Sequence, residues 1–249
     1  MTHTAQSLRD PGPEVVLSPA GFPDRTVRWG HGWQVGTAAY WVALTENAVR
    51  DGRLPDSQAR HSIGTDLVEE AAACLLGGHG LPHQVGLAAF EAVRAERMLH
   101  RPVTRQAIER VLRQPLRAGS RTVRYRFPAQ RAGYLAAALT CLQAQRPPGS
   151  ARALRDWLLE LPGIGPKTAG WIVRNYLGSD EVAVIDIHVL RAGIEAAVFD
   201  PSWTPARHYD LLEALFLAWA QHGAVNAADL DAVVWAERAR IPAAYAPRR

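Results

Sequence analysis

Leu161-Pro162-Gly163-Ile164-Gly165-Pro166-Lys167-Thr168-Ala169-Gly170-Trp171 places a glycine-bracketed turn between two helical stretches. Gly163 and Gly165 let backbone N–H groups point outward with no Cβ in the way, and Pro166 suits the first position of the following helix. Free amides at a helix N-terminus attract a phosphate and read it without regard to base sequence. Helix corners also use glycine for steric reasons, so the ordered string says more than either glycine. Of the 28 Lys and Arg residues, Lys167 is the only lysine. An arginine excess can reflect coding bias, and one lysine can survive it by chance. The other reading is chemistry that a guanidinium cannot perform, because a desolvated ammonium loses its proton and becomes a nucleophile.

Upstream of this string, Ser150 caps a predicted helix at 151–161 with the stripe Leu154, Trp157, Leu158 and Leu161. Pro128 opens another at 128–145 with the stripe Leu135, Ala138, Leu139 and Leu142. Further helices are predicted at 39–50, 65–77, 83–99, 104–114, 167–177, 187–198, 205–222 and 227–240, with Thr204 capping and Pro205 opening the penultimate one. Alternating segments are scarce, and Glu181 to Ile187 reads equally well as a connection. The expected fold is mostly α: two helical lobes with an active-site cleft between them. Gln145 to Ser150 reads as a lobe boundary. Residues 1–38 read as an irregular N-terminal arm with turns, and 39–249 as the helical domain, its two-helix hairpin at 157–177.

The composition, 48% hydrophobic and 21% charged over 249 residues, belongs to an ordinary globular protein and excludes disordered and collagen-like classes. No apolar run of about 18 residues occurs, so no membrane partner is expected, and the polar N-terminal stretch is read as that of a cytoplasmic protein. Cys74 and Cys141 lie in apolar helical patterns and read as buried core thiols; two cysteines cannot form a four-cysteine cluster site. The net charge of +4 fits a polyanionic partner without requiring one.

Nineteen residues past Lys167, the apolar run Val182 to Ile185 ends at Asp186. An Asp there caps the next helix. It can also present a carboxylate opposite Lys167, helping a neutral amine form and stabilising positive charge. Both roles are compatible.

Together these residues resemble a helix-hairpin-helix motif. The embedded lysine, followed by Asp at this spacing, is similar to the helix-hairpin-helix-GPD superfamily of DNA glycosylases, and most to its 8-oxoguanine DNA glycosylase/lyases. The likeness is strongest over Gln130–Ile194, led by Gln130-Arg131-Ala132-Gly133-Tyr134-Leu135, and extends more weakly from Ile63 to Trp235. It implies that Lys167 is the Schiff-base nucleophile, that Asp186 is the catalytic acidic residue, and that Gly163, Gly165 and Arg131 meet DNA phosphate. The expected partner is double-stranded DNA carrying a damaged base, bound by a monomer without a cofactor.

The target nucleotide must leave the stack to be read. Asp231 and Trp235 stand at i and i+4 behind Asn226-Ala227-Ala228-Asp229, which has the look of a capping box, with Leu230, Val233 and Val234 free to pack the other side. In the family an amide or acid and an aromatic hold this relation, so Asp231, Trp235 and Trp171 are the implied base pocket. A carboxylate suits guanine's N1–H and N2–H donors. The plainer alternative is an exposed Asp231 with Trp235 and Trp171 in the core. His79 and Gln84, in Gly77-Gly78-His79-Gly80-Leu81-Pro82-His83-Gln84, are wedge candidates for the hole left by the flipped base. His79 with His83 lacks a third ligand, so no metal is expected. Arg121, Arg124, Arg126 and Arg131, interleaved with Tyr125 and Phe127, fit either phosphate contacts or a solvated face. The short arm makes the compact, archaeal-type enzymes the better comparison. Two other readings stay open: the same chemistry on another modified base, and a non-catalytic helix-hairpin-helix DNA-binding module.

Overall fold

The structure, a computed structural model, describes residues 10–54, 62–78 and 80–240. Two compact units divide the chain. One is contiguous, Ser57–Val182, and the other joins Met1–Asp56 to Ala183–Arg249. The helical class read from the sequence holds, with only small sheets beside the helices.

The contiguous unit contains α2 (Leu67–Leu76), α3 (His83–Ala95), α4 (Arg105–Arg113), α5 (Pro128–Ala144), α6 (Ala151–Leu159) and α7 (Pro166–Leu177). A short ribbon, β3 (Leu116–Ala118) against β4 (Arg121–Val123), interrupts them in antiparallel register with Arg117 opposite Thr122. Its core gathers Phe90, Leu112, Leu135, Leu139, Leu158 and Ile172 from five helices, and Leu135, Leu139 and Leu158 belong to the two predicted stripes. Gln145 to Ser150, expected as a lobe boundary, lies inside this unit. There the Trp157 indole donates to the Gln145 Oε1 at 3.0 Å and ties the start of the connection to α6.

The discontinuous unit holds β1 (Glu14–Leu17) and β2 (Arg25–Arg28), then α1 (Ala38–Arg50), α8 (Ile187–Glu195), α9 (Pro205–His222) and α10 (Ala227–Arg240). The stretch expected as an irregular arm therefore contains a hairpin, with Val15 opposite Val27. Leu17 and Val27 are buried with Trp41, Phe216 and Trp219. Four-residue strands joined through two prolines leave little alternation to detect, and burial against α1 and α9 rather than propensity holds them.

All ten predicted helical windows are helical, and two end three or more residues early. The 83–99 window stops at Ala95, and 187–198 stops at Glu195, because Arg97 (φ 54°) and Ala197 (φ 57°) turn left-handed without a glycine to announce it. Ser150 and Thr204 sit at N-caps, but neither side chain makes the cap bond; the Thr204 N–H donates instead to His208 Nδ1 at 3.1 Å. Asn226 does cap α10, its Oδ1 accepting from the N–H groups of Ala228 and Asp229. Cys74 is buried as expected, whereas Cys141 is only half-buried. Among the described residues no helix is long and apolar enough to cross a membrane.

Candidate active site

In the contiguous unit, α6 and α7 flank a tight turn. Leu161 donates to the Leu158 carbonyl and Ile164 to that of Leu161, while the Leu161 and Ile164 side chains plug into the core. Pro162, Gly163 and Gly165 are left exposed. Gly163 is required twice over: its φ is +85°, and a Cβ there would lie 2.3 Å from the Tyr134 ring. Gly165 is the N-cap of α7 with no side-chain cap bond, and a Cβ on it would meet nothing within 4 Å. The two glycines thus do different work. One permits the turn, and the other leaves the helix N-terminus open to an anion.

Lys167, the second residue of α7, is half-buried. Trp171, one turn on, is half-buried too. Its ring edge lies 3.4 Å from where a Cβ on Gly77 would be, so the aromatic packs over the glycine that ends α2. Beneath this face the Cys74 thiol is pushed well up by burial and by neighbouring Glu70, with the charges of Arg174 and Lys167 opposing the rise.

Several polar residues brace these elements, and Glu70 is one that the sequence did not single out. Glu70 is completely buried. Its Oε2 accepts from the backbone N–H groups of Ile63 and Gly64, and its Oε1 accepts from Asn175 Nδ2 on α7 at 2.6 Å. Tyr125 donates to the Leu76 carbonyl at 2.6 Å, and Arg131 to that of Leu75 at 3.0 Å, so both close the C-terminal end of α2. Arg131, expected at DNA phosphate, is engaged there with its Nε buried and unpartnered. Gln84 is exposed as the second residue of α3, and His79 lies outside the described residues. Among the described residues no cluster of three or more His, Cys, Asp or Glu could hold a metal.

In the discontinuous unit, Asp186 is the N-cap of α8, its Oδ1 accepting from the N–H groups of His188 at 2.7 Å and Val189 at 2.8 Å. The cap role is real. Both bonds fall on one oxygen, and the carboxylate is only half-buried, so Oδ2 remains for other work. The approach to Asp186 is extended and gripped from α9. Glu213 accepts the Ala183 N–H at 2.9 Å, while the Tyr209 hydroxyl donates to the Ala183 carbonyl and accepts the Ile185 N–H. A buried Tyr and Glu at i and i+4 within an apolar helix face were the available signal for this brace.

On α10 the burial reverses the plain expectation of an exposed acid and a core indole. Asp231 is 6% exposed and Trp235 44% exposed, with Leu230 and Val234 fully buried. Arg238, one turn beyond, contacts Glu195 of α8 and stacks 5.5 Å from the Trp41 ring, fixing the end of α10.

A profile of the 8-oxoguanine DNA glycosylase family matches residues 56–224. Among solved structures, an 8-oxoguanine glycosylase/lyase of Methanocaldococcus jannaschii, crystallised with a 15mer DNA containing 8-oxoguanine, is similar at 20% identity. That match has a TM-score of 0.59 and covers 80% of this chain and 97% of that one. A second structure, of the 8-oxoguanine DNA glycosylase of the same organism, aligns at 21% identity and a TM-score of 0.57, over 81% and 92% of the two chains. The 8-oxoguanine DNA glycosylase of Thermotoga maritima aligns at 18% and 0.53, over 80% and 86%.

Proposed function

Because the chain belongs to the 8-oxoguanine DNA glycosylase family, we propose that it excises 8-oxoguanine from duplex DNA and then cleaves the strand through a Schiff base on Lys167. The observation that carries this reading is the chain's only lysine, half-buried on the second residue of the helix that follows the glycine turn. A chain that otherwise uses arginine for every cation has kept here the one basic side chain able to act as a nucleophile.

In the proposed mechanism the phosphate backbone docks on the open N-terminus of α7 and the damaged nucleotide leaves the stack. Trp235 stacks on the base, and Asp231 accepts from its Watson–Crick edge. The Lys167 amine attacks C1′ as the N-glycosidic bond breaks. The bonding pair leaves with the base, which takes up a proton, and the Asp186 carboxylate stabilises the cationic character that develops on the sugar. Ring opening gives the imine, which acidifies the C2′ proton. Loss of that proton expels the 3′-phosphate by β-elimination and nicks the strand.

Borohydride trapping on a duplex with one 8-oxoguanine opposite cytosine tests this directly. Wild type is expected to form a covalent adduct that maps to Lys167. Lys167→Gln should form none, and Asp186→Asn should slow base release by about two to four orders of magnitude, the scale of losing a positioned charge-stabilising or proton-transferring group. An adduct only on another lesion would move the substrate and keep the mechanism. Absence of an adduct and of base release on every lesion and abasic duplex would leave a DNA-binding module.

A further inference from the structure

We propose that the β3–β4 ribbon, with the arginines that follow it, is a second duplex-DNA contact surface that grips backbone phosphates beside those held by the glycine turn. The proposal rests on the reading of duplex DNA as substrate.

Charge is the first observation. From Arg110 through Arg155 the chain carries ten arginines and no Asp or Glu, although its net charge is only +4, so the rest of the molecule is net acidic. Positive charge is therefore concentrated in one stretch of the contiguous unit. Several arginines outside the ribbon are tied to carboxylates or carbonyls: Arg113 to Glu109, Arg94 to Glu91, Arg101 to the Arg97 carbonyl. Arg117, Arg121 and Arg124 are exposed and make no ion pair or side-chain hydrogen bond among the described residues. Arg126 has only the Phe127 ring, 5.0 Å from its guanidinium.

Geometry is the second observation. Leu116 and Ala118 are buried on either side of Arg117, so the pleat turns Arg117 outward. Tyr125 is likewise buried and fastened to the Leu76 carbonyl, so its neighbours Arg124 and Arg126 stand exposed around an anchored residue. These guanidiniums are thus mounted on a braced ribbon and need little ordering to bind. Crowded like charges without acidic partners repel one another and favour a polyanion that neutralises them. The ribbon is also joined through α5 to the glycine turn. Phe127 leads into α5, and Tyr134 on α5 packs against Gly163. Six residues of helix separate Pro128 from Tyr134, about 9 Å at 1.5 Å per residue. The segment that follows the ribbon thus enters α5 about two turns before the residue that packs on the glycine turn.

The test is duplex binding by fluorescence anisotropy from about 50 to 200 mM salt, with an 8-oxoguanine duplex and its undamaged counterpart. Full-length wild type is compared with the Arg117→Gln/Arg121→Gln/Arg124→Gln variant and with the corresponding triple Lys variant. Each lost phosphate contact lowers the slope of log K against log salt by about 0.9, so the Gln variant should lose two to three units of slope. It should weaken at least tenfold on both duplexes alike, while the Lys variant keeps the wild-type slope. Excision in a single turnover with enzyme saturating should be unchanged in both. A Gln variant with wild-type slope and affinity overturns the proposal. Wild type that binds duplex but excises nothing overturns the catalytic reading instead, and the slopes still decide the surface.

Discussion

Gly163 and Gly165 look equivalent in the sequence and are not equivalent in the fold. Gly163→Ala forces a Cβ into a left-handed φ and onto the Tyr134 ring, so it should lower stability by about 2–4 kcal/mol in urea titrations. Gly165→Ala has an ordinary φ of −98° and open space, so it should fold with wild-type stability. Any loss of duplex affinity in that variant then reports on the anion site itself. Trp235 and Asp231 permit a second contrast. Trp235 is largely exposed for an indole, so Trp235→Ala should leave the melting temperature nearly unchanged and lower kcat/KM for base release by about 10- to 100-fold, the scale of one lost base-stacking contact. Asp231→Asn is expected to change which base is released more than how fast. An excision panel with guanine, 8-oxoguanine and adenine lesions measures this, and an unaltered base preference would remove Asp231 from the pocket.

Among the elements, α2 illustrates how buried polar residues place the helix that carries Lys167. Glu70 joins residues 62–64 to Asn175 on α7, and its removal leaves the Ile63 and Gly64 N–H groups and the Asn175 amide without their acceptor. Glu70→Ala should therefore cost about 3–5 kcal/mol, measured by chemical denaturation. The segment leading to Asp186 depends on α9 in the same manner. Tyr209→Phe removes the hydroxyl shared by Ala183 and Ile185, and is expected to reduce the rate of base release about tenfold while KM for the duplex stays put. A fall in stability with an unchanged release rate would make Tyr209 structural only.

For the molecule as a whole, pH sets both edges of stability. Burial alone would raise the Glu69 carboxyl, but the Thr65 N–H and hydroxyl, aided by Arg94 and His100, outweigh it and hold the group below the ordinary carboxylate value. A depressed carboxylate contributes stability above its unfolded value of about 4.3, and that contribution is lost as pH falls through the lower folded value. Cys74 behaves oppositely. Burial first, and Glu70 second, push its thiol up, so its contribution is complete below the unfolded value of about 8.5 and fades as pH climbs beyond it. Denaturation midpoints should therefore be flat between about pH 5 and 8 and decline on either side, and Cys74→Ala should lessen the alkaline decline. The contiguous unit has its own core, so a Ser57–Val182 fragment should unfold cooperatively and still bind undamaged duplex. A fragment without a cooperative transition would show that this core does not suffice.

Local rules determined much of this protein. Apolar periodicity gave all ten helices found among the described residues, because amphipathic patterning is written residue by residue, and the glycine string with Lys167 marked the turn, because backbone freedom belongs to residue type. The cap role of Asp186 was legible for the same reason. Tertiary structure decided the rest. Leu17 and Val27 become strands only by burial with Trp41 and Trp219, and Arg97 and Ala197 end helices with no glycine to signal it. Arg131 finds the Leu75 carbonyl, and Trp235 stands exposed while Asp231 is buried. Glu70, Tyr125, Tyr209 and Glu213 each acquire partners at separations between 24 and 105 positions, and such pairings arise from packing, which no local window contains.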